Sequence, residues 1–150
     1  MGDKLKEVVI ICAVRTPIGV YKGSLKQIRP DQLGSIVIKE VLKRSKFDKD
    51  EIDEVIMGQV LTAGAGQNPA RQAAINAGIP ISKPAHIVNQ VCGSGLRSVI
   101  SGYQSIKLGE AKNVISGGQE NMSISPHSIF FRDKKKISEN ELIDTMINDG

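Results

Sequence analysis

Ala85-His86-Ile87-Val88-Asn89-Gln90-Val91-Cys92-Gly93-Ser94-Gly95-Leu96 decides the fold. An apolar run from about Ala85 to Val91 enters a turn holding two glycines. Beyond it Leu96, Val99, Ile100, Tyr103 and Ile106 recur on one helical face until Gly109 stops the helix. Strand, tight turn and helix in that order form the repeating unit of a parallel sheet, so the flanking sequence should repeat it. Upstream, Glu7 to Val14 is a continuous Val/Ile-rich run, as expected of a strand buried on both faces, and Thr16-Pro17-Ile18-Gly19 breaks it. Pro30-Asp31 opens a helix, with Asp31 the expected N-cap and Leu33, Ile36, Val37, Val41 and Leu42 at helical spacing. Val55 to Leu61 reads as the next strand. Asn68-Pro69 starts a helix that runs to Gly78, the Asn capping it and the Pro taking a first position that needs no N–H donor. Its inward positions, Ala70, Ala73, Ala74 and Ala77, are all small, so that face must pack close to another backbone. Downstream, Asn113 to Ser116 is a further strand ending in Gly117-Gly118.

The order β-α-β-α-β-α-β predicts the α/β class: a mostly parallel sheet with helices on its faces. Past Met122 the pattern changes to Ser/Pro-rich and then Lys-rich sequence, followed by a predicted helix over Glu139 to Ile147. The expected division is therefore a core over 1–121 and the start of a second unit over 122–150.

Composition removes several function classes. The 150 residues carry a formal charge of +4, are 40% apolar and include no Trp. A chain of this length buries roughly 68–70% of its unfolded surface, enough for a true core. The longest apolar run, Val8 to Val14, spans seven residues, where a membrane helix needs about 20. It is also too short for a secretory leader, Asp3 and Glu7 spoil a basic flank, and a cytosolic chain is the default expectation. Cys12 and Cys92 lie far apart, which argues against a structural disulfide, and with His86 and His127 they lack the paired spacing of a zinc site. The basic residues sit in two groups: Lys43, Arg44 and Lys46 at a helix end, and Arg132 to Lys136 in one charged loop. No aromatic interleaves with either, so nucleic acid is not an expected partner.

In open parallel sheets, ligands meet the loops at the carboxyl ends of strands, here Ala63 to Asn68, Gln90 to Gly95 and Gly117 to Ser123. The middle loop holds Cys92 at a strand-to-helix turn. The positive end of the helix dipole favours thiolate over thiol there, and such a sulfur is a strong nucleophile. Gly93 and Gly95 remove side chains that would block an incoming carbonyl or thioester, and the Cys92 amide is placed to donate to the resulting oxyanion. A cysteine that merely fills a strand end is the plainer reading, as expected for Cys12 within its apolar run. Gly93-Ser94-Gly95-Leu96-Arg97-Ser98 also approximates the G-x-G-x-x-G dinucleotide fingerprint, with Ser98 for the third glycine and Glu120 as a candidate ribose ligand. Preferential alkylation of Cys92 over Cys12 by iodoacetamide, unprotected by nicotinamide cofactors, separates these readings.

Longer matches then accumulate. Asn89-Gln90-Val91-Cys92-Gly93-Ser94-Gly95-Leu96 resembles the nucleophile motif of the thiolases. Ala13-Val14-Arg15-Thr16-Pro17-Ile18-Gly19 resembles their opening strand and loop. Met57-Gly58-Gln59-Val60-Leu61 with Gly66-Gln67-Asn68-Pro69-Ala70-Arg71-Gln72-Ala73 resembles their second strand and its helix. Gly117-Gly118-Gln119-Glu120-Asn121-Met122-Ser123 with Ser125-Pro126-His127 resembles the fourth strand and the start of their loop domain. Asn89 to Cys92 and Asp144-Thr145-Met146-Ile147-Asn148-Asp149-Gly150 look most like the biosynthetic acetyl-CoA acetyltransferase subgroup, rather than long-chain 3-ketoacyl-CoA thiolases. Gln119 stands where Met or another apolar residue is the commoner choice.

The resemblance implies a layered αβαβα architecture of which the first βαβαβαβ half is present, with 122–150 the beginning of an inserted loop domain. It implies an acetyl group carried on Cys92 and a reversible condensation of acetyl-CoA to acetoacetyl-CoA, the coenzyme A thioesters being substrates, with no further cofactor and no metal. Met122 and Ser123 would lie at the pocket mouth. Arg132 and Lys134 to Lys136 are either surface charge or an attraction for the adenosine phosphate. A homodimer or homotetramer is implied, with the Asn68–Gly78 helix, Arg71 and Asn89 near the subunit contact. Thiolases place further catalytic groups in Gly-His-Pro, Asn-Glu-Ala-Phe and Cys-x-Gly-Gly stretches, none of which occurs here. The 150 residues are thus expected to be an N-terminal portion, inactive alone. The remaining alternatives are a 3-ketoacyl-CoA thiolase of broader chain length, a nicotinamide-dependent oxidoreductase and a non-catalytic interaction module.

Overall fold

A computed structural model describes residues 7–130 and 142–150 of the chain. β1 (Glu54–Gly58), β2 (Ala85–Val88) and β3 (Val114–Gly118) form one parallel sheet in the order β2-β1-β3. Gly58 lies beside Val88 on one side and Gly118 on the other, so the three carboxyl ends are level. α1 (Pro30–Ser45) precedes β1, α2 (Pro69–Asn76) joins β1 to β2, and α3 (Ser94–Leu108) joins β2 to β3. This is the α/β class that the sequence order predicts.

One face of the sheet is sealed by hydrocarbon. Val55 and Met57 of β1 and Ile115 of β3 bury against Ile38 of α1 and Ala70, Ala73 and Ala74 of α2. Full burial of a Val, Ile or Met side chain contributes about 1.5–3 kcal/mol. The alanine face of α2 does pack close to a backbone, and that backbone is α1: a methyl group built on Gly34 would lie 3.1 Å from the Cβ of Ala73. The small face of Ala70, Ala73 and Ala74 is therefore used inside the chain.

The other face is closed differently. α3 turns Ser94, Ser98 and Gly102 toward the sheet. A Cβ on Gly102 would come within 2.5 Å of the Ser116 hydroxyl, and the buried Ser98 hydroxyl is shared between the carbonyls of Gly95 and Gly117, each at 2.7 Å. Such close approach is possible only with small residues. The apolar stripe of α3 consequently points outward, with Leu96 69% and Tyr103 49% exposed.

Several expectations need correction. Glu7 to Val14 forms no strand; Val9, Ile10 and Ile11 are exposed, Ile10 by 78%. A strand requires a neighbouring strand to complete its hydrogen bonds, and none of the described residues pairs with this run. Cys12 is accordingly half-buried rather than core. Asp31 is not the cap of α1, because Pro30 holds Arg29 in extended backbone and makes Arg29 the N-cap. The Arg29 amide donates to Gln32 Oε1 at 3.1 Å, and Asp31 instead pairs with the Arg29 guanidinium at 2.9 Å. β1 stops at Gly58 and β2 at Val88, short of the predicted Leu61 and Val91. The part of the predicted helix over 139–147 that lies within the described residues is a strand, β5 (Ile143–Asp144), and a short helix, α4 (Thr145–Asp149). β5 pairs antiparallel with β4 (His127–Ser128), and Asp144 caps α4 by accepting from the Met146 amide.

Candidate active site

The carboxyl ends of β1 and β3 meet the first turn of α3 with no side chain between them. A Cβ on Gly58 would fall 2.4–2.5 Å from the backbone of Ser94 and Gly95, and one on Gly118 would lie 3.4 Å from the Gly95 Cα. Gly58 is a site residue that the sequence reading passed over, although a glycine closing a strand is a signal for close backbone approach.

Between β2 and α3 the chain reverses sharply. Val91 adopts φ +49°, a left-handed backbone that is rare for a β-branched residue and costs on the order of 1–3 kcal/mol. A net of hydrogen bonds holds it there. The Val91 amide donates to Asn89 Oδ1 at 3.0 Å, the Gly93 amide donates to the Gln90 carbonyl at 3.0 Å, and the Ser94 amide donates to the Val91 carbonyl at 3.1 Å. The Ser94 hydroxyl accepts from the Gln90 amide at 2.8 Å and donates to the Val91 carbonyl at 2.6 Å. The amides that knit the turn are thus those of Gln90 through Ser94 except that of Cys92. Cys92 is exposed at the tip, two residues ahead of α3.

Cys92 opens into a cavity of about 400 Å³, also lined by Val60, Leu61, Gly95, Glu120 and Met122. That volume is in the range of small-molecule sites, about 300–1,000 Å³. Of the residues named from sequence, Cys92, Gly95, Glu120 and Met122 share this cavity, while Gly93 packs its Cα side on the Gln90 carbonyl of its own turn. Ser123 is set apart, its hydroxyl accepting from the Lys22 amide at 2.9 Å. Arg71 donates to the carbonyls of Ile81 and Lys83, stitching the loop after α2 onto its own helix. Asn89 is exposed at the end of the outer strand β2. His86 Nδ1 lies 3.1 Å from Glu54 Oε1 and His127 Nε2 lies 3.9 Å from Asp144 Oδ2; neither lines the cavity. Arg132 to Lys136 lie outside the described residues.

Glu120 is not presented to a ribose. Its Oε2 accepts from the amides of Val60 and Leu61 at 2.8 and 3.2 Å, and burial raises its pKa above the ordinary carboxylate value against the pull of those amides. Ser98, in the place of the third fingerprint glycine, has its hydroxyl engaged by the sheet. Both observations weigh against the dinucleotide reading.

Residues 8–150 match the family model described as Thiolase, N-terminal domain. The chain is 50% identical over 147 residues to the acetyl-CoA acetyltransferase of Cupriavidus necator, covering 97% of this chain and 37% of that protein. It is 50% identical over 143 residues to the cytosolic acetyl-CoA acetyltransferase of Rattus norvegicus, covering 95% of this chain and 36% of that protein. The crystal structure of the Bacillus anthracis acetyl-CoA acetyltransferase superposes with a TM-score of 0.86 at 36% identity, over 91% of this chain and 35% of the other. The chain thus spans little more than a third of the length of the curated relatives it matches.

Proposed function

The chain belongs to the thiolase family, matching its N-terminal domain, and on that premise we propose that Cys92 is the nucleophile of a reversible acetyl transfer between coenzyme A thioesters. The observation that carries the reading is the exposed sulfur at a strained turn, opening into a cavity at the level ends of a parallel sheet. In the first step the Cys92 sulfur attacks the carbonyl carbon of acetyl-CoA, a new S–C bond forms and the carbonyl electrons move to oxygen. The oxyanion collapses, coenzyme A leaves as its thiolate, and the thiol proton of Cys92 ends on it. A second acetyl-CoA then loses a methyl proton, and its carbanion attacks the acetyl-cysteine, giving acetoacetyl-CoA and the Cys92 thiolate.

In this reading the Cys92 amide and the positive end of α3 stabilise the oxyanion. Gly58, Gly95 and Gly118 keep the approach clear, and Met122 contacts the acyl chain. The proton transfers fall to the groups that the resemblance assigns to the Gly-His-Pro and Cys-x-Gly-Gly stretches of thiolases. The outward stripe of α3 and the unpaired run over 8–14 are the surfaces on which the other layers of an αβαβα fold would pack. A homodimer or homotetramer through the open edge of β2, near Asn89, belongs to the same reading. So does a cytosolic location, in line with the rat relative's name.

The test is covalent capture. Radiolabelled acetyl-CoA incubated with the whole protein carrying this sequence should leave label on the peptide containing Cys92, and Cys92→Ser should abolish transfer. Unaltered transfer in that variant, or label found only on other peptides, overturns the assignment.

A further inference from the structure

Gln59, Val60 and Leu61 follow β1 without belonging to any strand or helix, yet Gln59 and Leu61 are buried and Val60 and Leu61 line the Cys92 cavity. Side chains, rather than a sheet ladder, hold Val60 and Leu61 in place. Glu120 Oε2 takes the amides of both residues. The Leu61 carbonyl accepts from Gln59 Nε2 at 2.8 Å, and Gln59 Oε1 accepts in turn from Gln119 Nε2 at 2.8 Å. The far end of Gln119 is seated on α1 at a glycine, where a Cβ on Gly34 would lie 1.9 Å from Gln119 Oε1. Two consecutive residues after β3 therefore govern the backbone of the segment after β1.

We propose that Glu120 and Gln119, which themselves border the Cys92 cavity, also fix its Val60–Leu61 wall and so set the size of the group that the sulfur accepts. Amide exchange separates this positioning from their own bulk. This rests on Cys92 being the reacting group. The arrangement is poorly suited to stability alone. Gln119 Oε1 is buried with no hydrogen-bond partner among the described residues, which is costly for a polar atom, and Glu120 is a half-buried carboxylate whose burial opposes its charge. An apolar pair of similar volume would pack the same space without that cost. What the polar pair supplies is a specified path for two amides and one carbonyl that the sheet leaves unmatched.

Two readouts on the whole protein carrying this sequence separate the wall from the chemistry. The first is amide hydrogen exchange at Val60 and Leu61. The second is the ratio of Cys92 alkylation rates with N-hexylmaleimide and N-ethylmaleimide, which reports the room beside the sulfur whether or not acetyl transfer occurs. In Glu120→Ala, exchange at both amides should accelerate on the order of tenfold or more, as for loss of hydrogen bonds to a charged group, and the alkylation ratio should shift at least about threefold. Glu120→Gln keeps an acceptor oxygen and should hold both readouts within about twofold of the unsubstituted protein. Gln119→Met should shift the ratio in the same direction by less. A folded Glu120→Ala protein with an unchanged ratio overturns the proposal, as does a Glu120→Gln protein that behaves like the alanine variant. If Glu120→Ala does not fold, an unchanged ratio in Gln119→Met overturns it. Failure of acetyl labelling at Cys92 alongside the expected exchange changes would sink the acyl-transfer reading and leave the wall standing.

Discussion

The two faces of the sheet are closed by different physics. Against α1 and α2, Val55, Met57 and Ile115 meet Ile38 and the alanines, and the contact is held by apolar area removed from water. Against α3, Gly58, Ser98 and Gly102 let backbone come near backbone around the one fully buried Ile56 of β1, and the contact is held by short-range packing and the Ser98 hydrogen bonds as well as by apolar area. The second face admits no added atom at Gly58 or Gly102, and it is the one that sets the start of α3, and Cys92 with it, on the carboxyl ends of β1 and β3. A helix whose apolar stripe faced the sheet would stand farther off, and its first turn would not reach Gly58.

Substitutions can break this contrast. The largest expected loss is for Met57→Ala, about 2–5 kcal/mol in urea unfolding, since a fully buried side chain leaves a cavity. Gly58→Ala should cost about 3 kcal/mol although it only adds a methyl, because the obstructing atoms are backbone. Gly95→Ala, whose nearest neighbour would lie at 4.0 Å, should be near neutral for stability, and equal losses at Gly58 and Gly95 would refute the close-approach account. Leu96→Ala and Ile100→Ala, on the outward stripe, should each stay within about 0.5 kcal/mol in the 150-residue chain. A larger loss there would mean that something already covers the stripe.

The smallest effect concerns pH. The amides of Lys112 and Asn113 donate to Asp53 Oδ2 at 2.7 and 3.0 Å and lower its pKa below the ordinary aspartate value. Its stabilisation is therefore present above that value and lost as pH falls through the depressed one. Asp53→Asn should flatten the acid limb of a melting-temperature profile slightly, and an unchanged limb would remove Asp53 from the account.

Much of this was legible in the residues. Gly109 ending α3, Asn68-Pro69 starting α2, and a cysteine at a glycine-bearing turn all follow from local backbone preferences, which act within a few residues and need no knowledge of neighbours. The alanine face of α2 announced a close contact, but not that Gly34 of α1 supplies it. Apolar pattern misled twice. A continuous Val/Ile-rich run made Glu7 to Val14 a strand, and helical periodicity drew attention to the Leu96 stripe while the seat of α3 on the sheet was Ser94, Ser98 and Gly102.

By itself the order of residues determined the class of the fold, the helix ends, the cysteine at the turn and the likeness to thiolases, all matters of local sterics or of contiguous pattern. Only the tertiary structure decided that Gly58 seats α3, that Val91 is strained, and that Glu120 and Gln119 hold the segment after β1. The first and last of these depend on which distant backbones come within a few ångströms, and hydrophobic pattern is blind to that distance because glycine, glutamate and glutamine carry almost no signal of what they touch; the Val91 turn is local, but its left-handed backbone runs against the preference of a β-branched residue.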